Sequence, residues 1–324
     1  MNTDFFVAAM SQVAAPNTGT YAASVWRRCG AYSADSILLG FVGTGIIRML
    51  PERLWQFGPW GIFIGFFVSS LYFATMECRI GNGQTWGKRL FKVKVVDVHG
   101  NPISFEKALA RYIIFAIPVI ASGLNLPETR TPWAVTALLF LIVLWAGGST
   151  VYLIMFERLN RQGLHDLATG SYVVSADHEG PVEARRVPQM HWMILGSLLL
   201  TITVCAAAVN DWSQKQPGPL EFRRDAGLIE NMNGVERARV GDRLKHGLSG
   251  GVKKILYINV TRATRPASEE DFAYNLVKTL LHADQNLQGY DLVDVRFIYG
   301  YDIGIARHLE HREYEQSPAD WGKH

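Results

Sequence analysis

The chain has 324 residues, of which 48% are hydrophobic and 19% are charged, and its formal net charge is +3. This length corresponds to about two domains. The cysteines, Cys29, Cys78 and Cys205, all lie in or beside apolar segments, which excludes a disulfide framework for the polar residues 210–324. Residues 1–20 lack the basic start and the long apolar core of a secretory signal, so we interpret them as a flexible cytoplasmic tail.

Five apolar segments predict membrane-spanning helices, because a helix of about 20 mostly apolar residues crosses the hydrocarbon core. The third segment is short and contains Pro118. We accept it as a span because only then do the basic loops fall on one side of the membrane. The predicted spans are Ala31–Leu50, Trp60–Met76, Tyr112–Leu126, Trp133–Phe156 and Met190–Val209.

The basic residues predict the orientation. Arg27 and Arg28 precede the first span, and many more lysines and arginines separate the second span from the third and the fourth from the fifth. The opposite loops carry only Arg53 and Arg130. Because cytoplasmic loops are enriched in Lys and Arg, we place the N-terminus in the cytoplasm. The C-terminal domain is then in the periplasm, on the other side of a bacterial inner membrane.

Small residues on two spans predict close packing between helices. Gly40 and Gly43 share a face of the first span, and Gly61 and Gly65 form a G-x-x-x-G motif in the second. Such faces let the backbones of membrane helices approach closely.

Three stretches, taken together, resemble the RDD family of bacterial membrane proteins. They are Tyr21–Asp35, Gly83–Asp97 followed by Gly100, and Arg161–Gly170. Their order and spacing agree with the family over about residues 20–175. The resemblance places the arginine and the two aspartates of the family's name on Arg28, Asp35 and Asp166. The other matched motif positions are Gly83, Thr85, Gly87, Lys88, Arg89, Gly163 and His165.

Asp35 is the most informative of these residues, because a carboxylate within the hydrocarbon needs a partner. Arg28 precedes it by two helical turns on the same face. Together with His165 and Asp166, the two residues are predicted to cluster near the cytoplasmic face. This cluster is open to two interpretations, a structural network of ion pairs or a site for a cation or a proton.

The loop Gly81–Arg111 alternates apolar and basic residues. We interpret it as an amphipathic piece or short hairpin on anionic lipid headgroups. The glycines before Lys88 do not have the Walker spacing, so nucleotide binding is not predicted. The basic residues are explained by orientation in the membrane, which leaves no argument for nucleic-acid binding.

The residues after the fifth span predict a small α/β domain. Ser213–Pro219 reads as a linker, Leu228–Leu248 as one or two helices, and Lys253–Val260 as a strand. Ser268 caps a helix Glu269–Ala283. A strand Leu292–Tyr299 and a further element, Tyr301–Tyr314, complete the domain.

The expected fold is therefore a helical bundle with five transmembrane helices plus a small C-terminal α/β soluble domain. The predicted divisions are the tail 1–20, an RDD-like domain 21–175 with four spans, a cytoplasmic linker and fifth span 176–212, and a periplasmic domain 213–324.

No catalytic motif is recognisable, and no cofactor or metal is expected. His308 and His311 are interpreted as solvated surface residues because no third ligand is evident. We interpret the C-terminal domain as a docking module with exposed tyrosines Tyr299, Tyr301 and Tyr314.

The expected function is that of an accessory or assembly subunit of a larger membrane complex. Its partners would be membrane lipids, other subunits and a second copy of itself. The alternative is a small ion or proton-coupled transporter that uses Asp35, a role that the RDD resemblance implies for some members.

Overall fold

The computed structural model describes residues 21–50, 54–124, 126–127, 129–246, 251–262 and 265–322. The tail 1–20, predicted to be flexible, and Arg53 lie outside these residues.

Five long helices form the first part of the chain: α1 (Val25–Met49), α2 (Ile62–Glu77), α4 (Phe105–Gly123), α5 (Trp133–Phe156) and α7 (Gln189–Lys215). A 3-10 helix, Trp55–Gly61, leads into α2, and a π-helical turn, Ile142–Gly147, interrupts α5. We call residues 21–215 the helical half. Of its described helices, α1, α5 and α7 are long and apolar enough to cross a membrane, and α2 is apolar but shorter.

The helical half presents apolar side chains outward, which is the pattern of a bundle surrounded by lipid rather than by water. Large exposed examples are Phe41, Phe67, Leu138 and Leu200. The buried residues of α1, in contrast, recur every four positions and form one narrow stripe toward the other helices: Ala31, Asp35, Leu39 and Gly43.

Four short elements close one end of the helical half: α3 (Trp86–Leu90), β1 (Val93–Val96), α6 (Leu164–Thr169) and β2 (Tyr172–Ser175). β1 and β2 pair antiparallel, with Val93 opposite Ser175. Val93 and Val95 are fully buried with Ala31 and Ile103. The prediction of an amphipathic piece lying on lipid headgroups is therefore wrong for this part of the loop, because its strand has a distant partner that covers it.

The C-terminal domain begins with α8 (Pro217–Glu230), which follows α7 across Gln216. Its sheet has the order β3-β4-β5-β6, with strands Val235–His246, Val252–Arg262, Leu292–Asp302 and Arg307–Gln316. The β4–β5 pair is parallel and the other two pairs are antiparallel. α9 (Glu269–Ala283) is the crossover between the parallel strands, and a 3-10 helix, Gln285–Gly289, and α10 (Pro318–Trp321) complete the domain.

One face of this sheet carries the core of the domain. α8 and α9 pack there against Ile258, Val295 and Phe297. Three predictions for the domain are wrong. Ser213–Pro219 belongs mostly to α7 and α8 rather than to a linker, and β3 replaces the helices predicted after α8. Tyr299 and Tyr301 are buried, because the period-two pattern of β5 turns both toward covered surfaces.

A hairpin joins the C-terminal domain to the helical half. The turn between β5 and β6 places Ile303, Gly304 and Ile305 between α1 and α2, in an apolar cluster with Leu54 and Ile64. At a second contact, the hydroxyl of Thr129 donates a hydrogen bond to the Glu230 carboxylate. The guanidinium of Arg130 donates a hydrogen bond to the Glu230 backbone carbonyl at a distance of 2.5 Å.

The glycines predicted to support helix packing form the seat of this hairpin. A Cβ added at Gly65 would overlap the carbonyl oxygen of Ile303, and one at Gly61 would lie 2.7 Å from the carbonyl oxygen of Asp302. A Cβ at Gly43 would lie 2.8 Å from that of Ala306. The small-residue faces therefore pack against the turn of the β5–β6 hairpin, whereas the sequence predicted that they pack against another helix.

Candidate functional site

Asp35 is completely buried in α1 and accepts three hydrogen bonds. Its donors are the Tyr72 hydroxyl at 2.7 Å, the Thr85 hydroxyl at 2.5 Å and the backbone N–H of Gly87 at 2.7 Å. Thr85 is also the N-cap of α3, since its oxygen accepts from the N–H of Lys88. The carboxylate therefore lies at the positive end of a short helix, where unsatisfied N–H groups favour an anion.

Gly87 is required by this arrangement. A Cβ at this position would lie 2.8 Å from the carboxyl carbon of Asp35 and would overlap the carbonyl oxygen of Ala31. The absence of a side chain lets α3 approach α1 closely enough for the hydrogen bond to Asp35. This contact explains physically why glycine stands two positions after Thr85 in the motif.

A network of buried ion pairs lies next to Asp35. Arg111 of α4 contacts Asp166 at 2.8 Å and also pairs with Glu77 of α2. Lys88 pairs with the same Glu77 at 2.5 Å. Arg28 approaches Asp166 at 3.5 Å. Buried charges of this kind are tolerated where each is paired and hydrogen-bonded, so the network ties five separate segments of the chain together, α1, α2, α3, α4 and α6.

Arg28 also contacts the backbone. Its guanidinium donates to the carbonyl of Arg161 at 2.6 Å and to that of Val173 at 3.0 Å. Asp166 in turn accepts from the N–H of Gly163 at 3.1 Å, which caps α6. These bonds hold α1, α6 and β2 in a fixed relation.

His165 is a neutral member of the cluster. Burial, opposed by the charge of Asp166 and reinforced by that of Arg111, lowers the pKa of its imidazole to about 4. Its ring meets Phe115 edge to face, with centroids 5.2 Å apart. Burial alone would raise the pKa of Asp166, but His165, Arg111 and Arg28 outweigh it and hold that pKa below its usual range.

The structure brings together only part of the predicted cluster. Arg28, His165 and Asp166 meet as expected. Arg28 and Asp35 share no hydrogen bond in the described residues, because Asp35 turns toward Thr85 and Gly87 instead. Lys88 enters the ion-pair network.

The remaining motif residues of the predicted site shape the loop. Gly83 has φ +71° and its carbonyl accepts from the N–H of Val95 at 2.8 Å. Arg89 stacks its guanidinium over Trp86, 5.3 Å from the ring. Neither enters the ion-pair network.

Glu77, Arg111 and Tyr72 were missed as members of the site. In the sequence, Arg111 is only the last residue of the basic loop Gly81–Arg111, and Glu77 directly follows the predicted span Trp60–Met76. The signal for Arg111 was its position in the second turn of an apolar helix, where an isolated cation needs a buried partner. Glu77 is such a partner, and only the packing of α2 against α4 reveals it.

A cavity of about 290 Å³ adjoins the network. Its walls are largely apolar and aromatic, with Tyr32, Phe73 and Tyr112 among them, and one end is formed by Glu77 and Arg111. Three cations, Arg28, Lys88 and Arg111, stand against the carboxylates of Asp35, Glu77 and Asp166, so the charges of the site balance.

A metal centre is not built by the described residues: none of their histidine, cysteine and acidic side chains form a group of three suited to a metal ion. His308 and His311 both lie on β6, where residues three apart point to opposite faces. His308 contacts Glu310 at 3.3 Å.

The comparisons with known proteins agree with the motifs. The family model described as "RDD family" matches residues 22–170. No curated protein and no solved structure matches the chain. The match covers α1 to α6 and the whole polar network, and it ends before α7 and the C-terminal domain. Residues 22–170 therefore form a region of the RDD family, and the apolar helices of the helical half mark the chain as a membrane protein.

Proposed function

We propose that the protein is an accessory subunit of a bacterial inner-membrane complex, which holds a periplasmic docking domain at a fixed place above the membrane. The observation that carries this proposal is the seat of the β5–β6 hairpin between α1 and α2. Ile303 and Ile305 pack there on glycine surfaces, and α7 continues into α8 across the single residue Gln216. A domain held by two such contacts is presented in a defined orientation.

The proposal includes five spans, with the N-terminus in the cytoplasm. It is supported by where the C-terminal domain makes its contacts. The hairpin meets the last turns of α1 and the first turns of α2, and Glu230 meets the loop between α4 and α5. All these chain ends lie on one side only if each helix crosses. The basic residues Arg28, Lys88 and Arg111 are found at the other end, which agrees with the inside rule.

The outer edge of β6 is the proposed docking surface. β6 is an edge strand of ten residues, and most of its side chains are exposed. An open edge can pair with an extended segment of a partner, and the charges along it restrict which partner fits. Leu309 is 48% exposed beside Glu310 and His311, so a partner with a mixed polar and apolar strand fits this edge.

The transporter alternative receives less support from the geometry. An ion-coupling carboxylate must release its proton or ion, but Asp35 accepts hydrogen bonds from three fixed donors. The adjacent carboxylates are both held in ion pairs with arginine. Such saturated contacts favour a structural role for the cluster.

Crosslinking in the native membrane tests the docking surface. A photoreactive residue is placed at Leu309 on β6 or, as a matched control, at Leu220 on α8, which is exposed to a similar extent at 46%. We expect one discrete crosslinked partner from position 309 and none from position 220. After gentle extraction, the protein should also migrate in a stoichiometric assembly.

Two results would contradict the proposal. The first is a protein that runs alone, or only with copies of itself, and gives no crosslink at position 309. The second is a pH-dependent ion flux in proteoliposomes that Asp35→Asn abolishes while the protein stays folded, which would establish the transporter.

A further inference from the structure

A second and larger cavity lies between the helical half and the C-terminal domain. Its volume is about 940 Å³. It lies at the opposite end of the bundle from the polar cluster, beside the end of α4 and the first turns of α5. A space of this size matches the pockets that bind small organic ligands in proteins.

The floor of this cavity is apolar and belongs to a membrane helix. Phe140, Val143 and Leu144 of α5 line it, and their spacing of three and four residues from Phe140 places them on one face of that helix. Phe140 is 59% exposed. Because α5 is apolar enough to cross a membrane, this floor is continuous with the surface that meets the hydrocarbon chains of lipids.

The roof of the cavity is basic and belongs to the C-terminal domain. Arg237 and Arg239 come from β3 and Arg223 comes from α8. The strand alternates, so Ala238 and Val240 point into the core while the two arginines point away from it. Among the described residues that line the space, the three guanidiniums are accompanied by one carboxylate, that of Asp242.

The ends of the cavity correspond to the parts of a phospholipid. Guanidinium groups bind phosphate oxygens through paired N–H donors, and each has five donors, so an arginine with a contact inside the protein can still bind a phosphate. The apolar face of α5 suits acyl chains. Trp133, which begins α5 and lines the cavity, is the type of residue that prefers the headgroup layer between these two regions.

We propose that this cavity binds an anionic phospholipid from the leaflet on the side of the C-terminal domain. The phosphate lies between Arg223, Arg237 and Arg239, and the acyl chains leave along Phe140 and Leu144 into the bilayer. A zwitterionic lipid binds less well, because its positive headgroup faces the same arginines. The proposal requires that α5 spans the membrane, and it does not depend on the accessory-subunit role.

Lipid selection by the full chain tests this site. The protein is placed in vesicles of phosphatidylcholine with a minor share of phosphatidylglycerol, and extracted gently, and the bound lipid is quantified by mass spectrometry. We expect phosphatidylglycerol to be enriched several-fold over the vesicle. The double variant Arg237→Gln/Arg239→Gln should lose most of that enrichment and approach the composition of the vesicle, since charge-assisted hydrogen bonds are lost.

A matched control distinguishes binding at this cavity from a general attraction between a positively charged protein surface and anionic lipids. Arg307→Gln/Arg312→Gln removes the same charge from β6, on exposed side chains that do not line the cavity, and should keep the enrichment. Thermal unfolding shows whether each variant is folded. If the first double variant unfolds, Arg239→Gln alone, at an exposed side chain, replaces it.

Three results would overturn the proposal. The wild type could show no enrichment, or the cavity variant and the β6 variant could lose it equally. In a third arm, inorganic phosphate is added in large excess. If it displaces all the phosphatidylglycerol, the ligand is a soluble phosphate compound rather than a lipid, and retention of the lipid supports the proposed site.

Discussion

Gly65 and Ile303 meet where the β5–β6 hairpin crosses α2, with the carbonyl oxygen of Ile303 lying in the space that a side chain at position 65 would occupy. These residues belong to the two different parts of the chain. Their contact shows that the C-terminal domain is packed into the helical half rather than only attached to its last helix.

This contact predicts opposite effects for two glycine substitutions. Gly65→Ala forces the hairpin away and should destabilise the protein by about 1–3 kcal/mol, the usual cost of overpacking. Gly45→Ala on α1 has nothing within 4 Å of the new methyl group and should be neutral or slightly stabilising, since alanine favours helices. Thermal unfolding and limited proteolysis of the purified protein measure both. Equal behaviour of the two variants would argue against the seat.

Arg111 is predicted to be the most sensitive residue of the polar network, because it pairs with both Glu77 and Asp166. Arg111→Gln leaves two buried carboxylates with one partner fewer, and should cost about 3–5 kcal/mol. Lys107→Gln on the same helix removes the same charge from an exposed position and should cost less than about 1 kcal/mol. Unfolding in detergent compares them. A mild Arg111 variant would show that the network is loosely coupled.

Thr85 joins Asp35 to α3 and is fully buried. Thr85→Val preserves its shape but removes one donor to Asp35 and the cap of α3, so we expect a loss of about 1–3 kcal/mol. Thr75→Val provides the comparison, because the Thr75 hydroxyl donates a hydrogen bond to the carbonyl of Leu71 within its own helix and, among the described residues, to no other helix. Hydrogen exchange at the start of α3 should accelerate in the first variant and stay unchanged in the second.

Because of Asp225, we expect the stability of the C-terminal domain to fall as pH rises. Its side chain is 2% exposed and its Oδ2 accepts no hydrogen bond from the described residues. Burial first, and then the charge of Asp284, raise the pKa of Asp225 to about 6. The folded state therefore holds a proton more tightly than the unfolded state, and the stabilisation present at low pH is lost as pH rises through about 6.

Asp225→Asn tests that slope. The neutral amide should raise the melting temperature of the domain at pH 7 by a few degrees, which corresponds to roughly 1 kcal/mol, and should flatten its change between pH 5 and 7. Asp211→Asn, at an exposed carboxylate, should leave the slope intact. A melting temperature that does not depend on Asp225 over this range would disprove the shift.

Because of His165, we expect the opposite dependence for the helical half, whose stability should fall as pH falls. Because burial lowers the pKa of its ring to about 4, the unfolded state binds a proton first as pH falls. Stability from His165 is present above its ordinary pKa of about 6.5 and is lost progressively toward pH 4. Intrinsic fluorescence during unfolding at pH 7, 6 and 5 should show declining stability for the wild type and a weaker decline for His165→Gln. Identical declines would exclude His165 as the cause.

Features that depend on neighbours along the chain could be predicted from the amino-acid sequence. The apolar runs predicted α1, α5 and α7, because the length of a membrane crossing is a local property. The cap at Ser268 located Glu269–Ala283 correctly. The three RDD stretches could be recognised because several of their residues lie at turns and helix starts, where the local backbone restricts the residue type. Thr85, Gly87 and Gly163 are examples.

Contacts between groups that are distant in the chain became known only from the packing of the folded protein. Arg111 could be recognised as a buried partner of Asp166 only after α4 and α6 were packed together, and Asp35 found its donors on α3 rather than on Arg28. Tyr301 looked like an exposed aromatic, yet the hairpin buries it against the helical half. A burial or an ion pair depends on surfaces far apart in the chain, and no local pattern records which surface covers which.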